Sequence, residues 1–112
     1  MAMPRGLIDS EDLLERHLQD TEFREHWVRT ALGRAVGLTV LRYRSEHGLS
    51  LRALARQLGM THPRVAQLEA GDHNPSIETL QRLARQLGME FQITVLGDGE
   101  VVLREVAAAA AP

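Results

Sequence analysis

Cysteine is absent from this chain of 112 residues, and aromatic side chains make up only 4% of it. Without cysteine, the chain forms neither disulfide bonds nor the cysteine-ligated zinc sites of many small domains. No apolar run approaches the roughly 18 residues that a membrane helix needs. The N-terminus also lacks the apolar stretch of a signal peptide. We therefore expect a soluble, cytoplasmic protein that does not associate with membranes.

The signatures of catalysis and of metal binding are missing as well. Neither a nucleophile elbow nor a glycine-rich phosphate loop occurs in the sequence. The five histidines are never three or four residues apart, the spacing that places two metal ligands on one face of a helix. We therefore expect no catalytic residue, no metal site and no cofactor, and a protein that is not an enzyme.

The charge is distributed unevenly along the chain. Hydrophobic residues at 44% and charged residues at 25% are ordinary values for a globular domain. The formal net charge is −2, yet residues 34–68 hold six arginines and one glutamate, a net charge of +5. Local patches, not the total charge, attract nucleic-acid phosphates. The segment is therefore either a DNA-facing surface or a solvated arginine-rich face.

The apolar spacing predicts three short helices, over residues 50–58, 61–70 and 76–87. Each begins at a residue that commonly caps a helix N-terminus, and each is followed by a glycine. These capping residues are Ser50, Thr61 and Ser76.

The segment before these helices also shows helical patterns. A short helix is predicted over residues 10–20, and a long one over 21–48, broken near Gly33 or Gly37. One apolar stripe on the long helix is predicted from Phe23, Trp27, Val36, Val40 and Tyr43. Of these, Phe23 and Trp27 either pack in the core or form a surface for a partner.

After Gly88 the pattern changes to alternating β-branched residues. It predicts strands over residues 90–96 and 101–106. Asp98-Gly99 between them is typical of a type I′ hairpin turn. Residues 107–112, which are alanines and a final proline, are expected to be a disordered tail.

The helices over 50–58 and 61–70, joined at Gly59, fit a helix-turn-helix, whose second helix lies in the major groove of DNA. Its outward residues are therefore candidates for reading base edges: His62, Pro63, Arg64 and Gln67. Gln67 is the best of them because glutamine pairs bidentately with adenine. Arg64 is expected to contact phosphate more than guanine, and Pro63 either contacts a thymine methyl group or only starts the helix.

A second set of residues is suited to phosphate oxygens, because each lies near a helix N-terminus or in the loop after the second helix. These residues are Ser50, Arg52, Thr61, His73 and Asn74. The primary role expected for Ser50 and Thr61 is to cap their helices. Arg52 is expected to be solvated, with a phosphate contact as the alternative.

The segment over about residues 36–88 resembles the helix-turn-helix of the Cro/C1-type (XRE family) regulators. The residues that carry the resemblance are Leu49, Ala55, Gly59, Val65, Glu69, Gly71, Pro75, Ser76 and Leu80. The resemblance implies a mainly α fold, a five-helix lambda-repressor-like domain over 34–88. Residues 1–33 would form an N-terminal helical extension and residues 89–106 a C-terminal β-hairpin. It also implies a structural salt bridge between Arg44 and Glu69.

Two positions depart from the family pattern. Leu51 stands where a glutamine commonly braces the phosphate contacts, and Asp72 stands where a basic residue is common. Both changes weaken the expected attraction for DNA. Beside the two DNA-binding interpretations given in the next paragraph, they support a third, in which the motif is a protein-interaction module that has lost DNA binding.

The flanks resemble those of HigA-type antitoxins. That resemblance implies a repressor that neutralises a small basic RelE/HigB-like ribonuclease toxin and represses its own operon. The alternative is a stand-alone transcriptional regulator without a toxin partner. Either would bind double-stranded DNA at a palindromic operator as a homodimer, because two-fold operators pair with two-fold proteins.

Overall fold

The computed structural model describes residues 20–107 together with Arg16. This part of the chain contains five α-helices followed by two strands: α1 Thr21–Arg29, α2 Ala31–Glu46, α3 Leu51–Leu58, α4 His62–Ala70, α5 Ile77–Leu87, β1 Met89–Val95 and β2 Val101–Ala107. The mainly helical fold with a C-terminal hairpin is therefore confirmed. The helix predicted over 10–20 lies outside the described residues, apart from Arg16 and Asp20. The tail beyond residue 107 lies outside them as well.

The core lies where α2, α3, α4 and α5 meet. Each helix contributes apolar residues spaced three or four positions apart, so that one face is buried and the other stays in water. Burying one such side chain contributes about 1.5–3 kcal/mol. The buried members are Val36, Val40, Leu54, Ala55, Leu58, Val65, Leu68, Leu80, Leu83 and Leu87.

The three predicted helix caps are confirmed. Each hydroxyl oxygen accepts a hydrogen bond from the backbone N–H three residues ahead, at 3.1 Å for Ser50, 3.3 Å for Thr61 and 3.2 Å for Ser76. After α3 the chain turns at Gly59, whose φ of 67° lies in the left-handed region. This turn directs the chain into α4, so the helix-turn-helix geometry follows from residues that sequence patterns identify.

The break in the long N-terminal helix falls at Thr30, which makes the predicted position near Gly33 or Gly37 wrong. The Thr30 hydroxyl donates to the carbonyl oxygen of His26 at 2.9 Å. With φ −100° and ψ 13°, Thr30 ends α1 and begins α2. Helix α2 then runs through residues 33 and 34, where the sequence placed the boundary between the extension and the helix-turn-helix domain.

Gly33 and Gly37 have a different role, which is to let α2 lie close to α4 and to the loop after α4. Both are buried inside α2. A Cβ at Gly37 would lie 2.5 Å from the carbonyl oxygen of Leu68, and one at Gly33 would lie 2.4 Å from that of His73. The lack of a side chain thus allows backbone to pack on backbone. We call these two positions the glycine seam.

The predicted apolar stripe is only partly buried. Val36 and Val40 belong to the core, whereas α1 contains no fully buried residue. Trp27 stacks on Phe23 with ring centroids 6.0 Å apart, and the Arg34 guanidinium lies 3.4 Å from the centroid of the Trp27 ring. Desolvation lowers the pKa of Arg34. Helix α1 is therefore held to α2 by half-buried aromatic contacts and not by the main core.

The hairpin is antiparallel, and Met89 pairs with Ala107 and Val95 with Val101. Each strand ends one residue away from its predicted end, so Ala107 belongs to β2 and not to the tail. The type I′ prediction is wrong, because no residue other than glycine has a positive φ in the described chain. Instead the loop closes by a hydrogen bond from the Gly99 N–H to the Leu96 carbonyl oxygen, at 2.9 Å. Gly99 itself has a φ of 92°, a positive value that favours glycine.

One ion pair ties the hairpin to the helical domain. Arg42 of α2 donates to Glu105 of β2 at 2.6 Å. The other oxygen of Glu105, Oε2, is buried and has no hydrogen-bond partner in the described part of the chain. Phe91 and Leu103 pack against the core from the same face of the sheet. The hairpin thus packs on α2 through β2 and on α5 through β1.

Candidate nucleic-acid interface

Helix α4 presents one buried face and one exposed face. Val65 is fully buried and Leu68 is 6% exposed. The four side chains predicted to read bases all lie on the exposed part of the helix: His62, Pro63, Arg64 and Gln67. Pro63 occupies the first turn, where its missing N–H leaves no hydrogen bond unmade. The helix is therefore anchored by its apolar face and free to present the other.

An open depression of about 550 Å³ lies between the exposed face of α4 and the loop after it. The structure brings two predicted base-reading residues to its edge together with two predicted phosphate contacts. Asp72 lines the same depression. The polar and charged lining is Arg64, Gln67, Asp72, His73 and Asn74. The remaining predicted contacts lie outside it, at the N-termini of α3 and α4: Ser50, Arg52, Thr61, His62 and Pro63.

The positive charge available to a ligand is smaller than the sequence suggests. Three of the six arginines in residues 34–68 make contacts inside the protein: Arg34 on Trp27, Arg42 on Glu105 and Arg44 on Glu69. The other three are exposed: Arg52, Arg56 and Arg64. None of these three forms an ion pair with a described acidic residue. Arg64 donates to the Thr79 hydroxyl at 3.4 Å, a long and therefore weak hydrogen bond.

The ion pair expected between Arg44 and Glu69 is present. Arg44 donates to both carboxylate oxygens, from Nε at 2.6 Å and from Nη2 at 3.1 Å. Its third nitrogen donates to the Leu49 carbonyl oxygen at 3.2 Å. The hydrogen bonds to Glu69 raise the pKa of Arg44. The pair fixes the C-terminal turn of α4 against α2 and against the segment before α3.

Asn74 makes contacts that the sequence did not predict. Its side-chain nitrogen donates to the carbonyl oxygen of Arg29 at 2.6 Å, and its side-chain oxygen accepts from the Gly33 N–H at 2.9 Å. The carbonyl group and one amide hydrogen are thus committed to the α1–α2 junction. Asn74 therefore has a structural role at this junction, and a phosphate contact by its side chain would fall to the second amide hydrogen.

Two further side chains position the helix-turn-helix and were missed. Arg82 of α5 donates to the carbonyl oxygen of Gly59, in the turn itself, at 2.9 Å. Gln57 of α3 donates to the Tyr43 hydroxyl at 3.0 Å and to the Gln86 carbonyl oxygen at 3.2 Å. Both are exposed polar residues on amphipathic helices, and nothing in their spacing distinguishes them from solvated side chains.

Among the helices of the described residues, none combines the length and the apolar character that a membrane span requires. The same residues contain no group of three or more histidines and carboxylates placed to hold a metal ion.

The fold and this surface define a helix-turn-helix protein. A helix-turn-helix family model, HTH_3, matches residues 40–93. An uncharacterized HTH-type transcriptional regulator of Haemophilus influenzae is 32% identical over 77 residues, which cover 69% of this chain and 74% of that protein. The chain therefore belongs to the HTH_3 helix-turn-helix family of transcriptional regulators.

Two further comparisons cover less of the chain. An uncharacterized HTH-type transcriptional regulator of Methanothermobacter thermautotrophicus is 40% identical over 48 residues, 43% of this chain and 70% of that protein. The crystal structure of an HTH_3 family transcriptional regulator from Vibrio cholerae matches with a TM-score of 0.49 and 20% identity. That match covers 62% of this chain and 55% of the other.

Proposed function

We propose that the protein is a sequence-specific, double-stranded DNA-binding repressor that acts as a homodimer. The observation that carries the proposal is the exposed face of α4, where Arg64 and Gln67 border an open depression. Such a helix, held by a buried opposite face, is suited to the major groove. Gln67 would read a base, while Arg64 and the capped N-termini of α3 and α4 would contact phosphates.

Dimerisation is part of the proposal because a single α4 reaches only a few base pairs. Two copies related by a two-fold axis would read two half-sites about 10 base pairs apart, which is the usual geometry of such repressors. The expected operator is therefore a palindrome.

The test is selection from a pool of duplexes with about 30 randomised base pairs, enough for two half-sites. The full chain is expected to enrich a palindromic sequence. Binding to the enriched duplex should weaken with salt, and Arg64→Ala should reduce the slope of log affinity against log salt by about 0.9 per subunit. Arg104→Ala is the matched control, because Arg104 lies on the hairpin and is exposed.

A chain that enriches no sequence and shows no salt-dependent binding to duplex DNA would contradict the proposal. Such a result would favour the third interpretation, a helix-turn-helix that binds only other proteins. Leu51 and Asp72 would then mark the loss of DNA binding.

Within this function, we propose that the protein is a HigA-type antitoxin with a small basic toxin as partner. The supporting observation is α1, which carries the exposed acids Glu22 and Glu25 beside the half-buried rings of Phe23 and Trp27. Exposed carboxylates beside half-buried apolar rings, on a helix outside the core, are suited to a basic partner.

Affinity purification of the tagged chain from its native host tests this finer proposal. Recovery of a small basic protein in equal amounts, lost on Glu22→Lys/Glu25→Lys substitution, would support it. Recovery of the chain alone as a homodimer would favour the stand-alone regulator. Gln92→Lys is the control, since it adds a positive charge on the hairpin instead.

A further inference from the structure

Asn74 completes the hydrogen bonding of two helix ends at once. The Arg29 carbonyl belongs to the last turn of α1, and the Gly33 N–H to the first turn of α2. Both are groups that a helix leaves without an internal partner. The residues involved are 45 and 41 positions away from Asn74 in sequence. One amide side chain thus caps the end of one helix and the start of the next.

The residue between the two helices does not supply this cap. Thr30 stands at the N-cap position of α2, yet its side chain makes no capping hydrogen bond. Its hydroxyl donates to the His26 carbonyl oxygen and accepts from Arg34 at 2.8 Å. The Gly33 N–H is the donor that an N-cap side chain commonly satisfies, and here Asn74 satisfies it. The side-chain amide offers the donor and the acceptor that this arrangement requires, on two separate atoms.

The loop that carries Asn74 also borders the candidate DNA-binding surface. Asn74 lines the same depression as Gln67 and Arg64. The glycine seam lets this loop lie directly on α2, because a Cβ at Gly33 would collide with the carbonyl of His73. The position of α1 and the shape of the depression are therefore linked through a single side chain.

We infer that Asn74 is a positioning residue for DNA binding, and that through it α1 belongs to the DNA-binding unit. Asn74 acts by fixing the loop over residues 71–75 relative to the α1–α2 junction, not by touching phosphate with its side chain. Displacement of α1 then shifts the loop and weakens DNA binding. The inference rests on the proposed function, since it concerns how the same surface is held in place.

Amide hydrogen exchange of the full chain tests the cap without DNA. Asn74→Ala is expected to speed the exchange of the Gly33 N–H, whereas Asn74→Asp, which keeps an acceptor, should leave it protected. Gln92→Ala, an amide removed from the exposed hairpin, should change nothing at Gly33. Unchanged exchange of Gly33 in Asn74→Ala would overturn the inference.

Affinity for the duplex enriched by the wild-type chain tests the link to DNA. Asn74→Ala should weaken binding by about tenfold, the scale of one or two lost hydrogen bonds. Trp27→Ala removes the contact between α1 and Arg34 and should also weaken DNA binding. Trp27 cannot act by direct contact in the depression, because α1 lines no part of it. If Asn74 acts through α1, the double variant should bind no more weakly than the weaker single variant, so that the effects are not additive. Circular dichroism at the assay temperature checks that all three variants are folded.

Wild-type affinity in Trp27→Ala, or additive losses in the double variant, would overturn the inference. In either case the wild-type chain still binds its duplex, so the proposed function would stand. Failure of the wild-type chain to bind any duplex would remove the proposed function and the inference together.

Discussion

Arg44 holds both carboxylate oxygens of Glu69, at 2.6 and 3.1 Å, and so joins the C-terminal half of α2 to the last turn of α4. The pair is largely shielded from water, because the side chains of Arg44 and Glu69 are 25% and 12% exposed. Two parallel N–H···O bonds give such a pair a fixed geometry. The orientation of α4 therefore depends on a contact that lies away from the groove-facing residues.

Replacing Glu69 is expected to reduce stability and leave base preference unchanged. Glu69→Gln removes the charge that Arg44 faces and leaves a partly buried guanidinium without its counterion. The midpoint of thermal unfolding should fall, whereas Glu46→Gln, on the exposed side of α2, should change it little. Arg44→Lys should also lower it, because an ammonium cannot make the two parallel bonds. A change in the selected DNA sequence without a change in the unfolding midpoint would contradict this role.

The glycine seam is expected to tolerate no side chain. A Cβ at position 37 would lie 2.5 Å from the Leu68 carbonyl oxygen and 2.9 Å from that of Glu69. Both are backbone atoms of α4, so the helices must move apart. Although alanine favours a helix over glycine by about 1 kcal/mol, Gly37→Ala should lower the free energy of unfolding by roughly 1–3 kcal/mol.

Gly97→Ala is the control for the seam, because a Cβ there meets no atom within 4 Å. Urea unfolding followed by circular dichroism compares the two variants. A Gly37→Ala variant as stable as the wild-type chain would show that α2 and α4 have room between them.

The cap at Thr61 is expected to contribute to stability through its hydroxyl alone. Thr61→Ala leaves the Arg64 N–H without its partner, and should lower the free energy of unfolding by about 1 kcal/mol. Thr61→Ser keeps the hydroxyl, so its free energy of unfolding should lie within roughly a few tenths of a kcal/mol of the wild-type value. Urea unfolding should show a lower midpoint with an unchanged slope. Equal losses in both variants would mean that the methyl group matters instead.

Gln67 and Arg64 are expected to affect DNA binding in different ways. Gln67→Ala should reduce discrimination at one position of the operator by about 1–3 kcal/mol, the contribution of one bidentate base contact. Arg64→Ala should weaken binding to matched and mismatched duplexes by the same factor, as a phosphate contact does. The measurement is affinity for the enriched duplex and for its single-base variants. An unchanged preference in Gln67→Ala would remove it from the base-reading residues.

The helices that build the site could be predicted because their signals are local. Ser50, Thr61 and Ser76 each accept from a backbone group three residues ahead, and a pattern of caps and apolar spacing contains all of that information. The Arg44–Glu69 pair, 25 residues apart, followed only from the family resemblance, since spacing alone does not indicate it.

The errors came from contacts between segments far apart in sequence. A glycine inside a helical pattern suggests a break, yet Gly33 and Gly37 lie inside α2, where the backbone of α4 and of the loop after it packs against them. The structural contacts of Asn74 could not be predicted either, because its partners Arg29 and Gly33 lie 45 and 41 residues earlier in the sequence. The charge of residues 34–68 overstated the free positive charge for the same reason, because Arg34, Arg42 and Arg44 have partners elsewhere.

The Asn74 cap has a consequence for the order of folding. Its two hydrogen bonds close loops of more than 40 residues. The chain loses the conformational entropy of such a loop before the hydrogen bond that closes it can stabilise the fold. The contacts among α3, α4 and α5 span far shorter loops. We expect the helix-turn-helix to form before α1 docks, and Asn74→Ala to accelerate unfolding while leaving the folding rate nearly unchanged. Stopped-flow kinetics would then show α1 as the last element to dock and the first to detach.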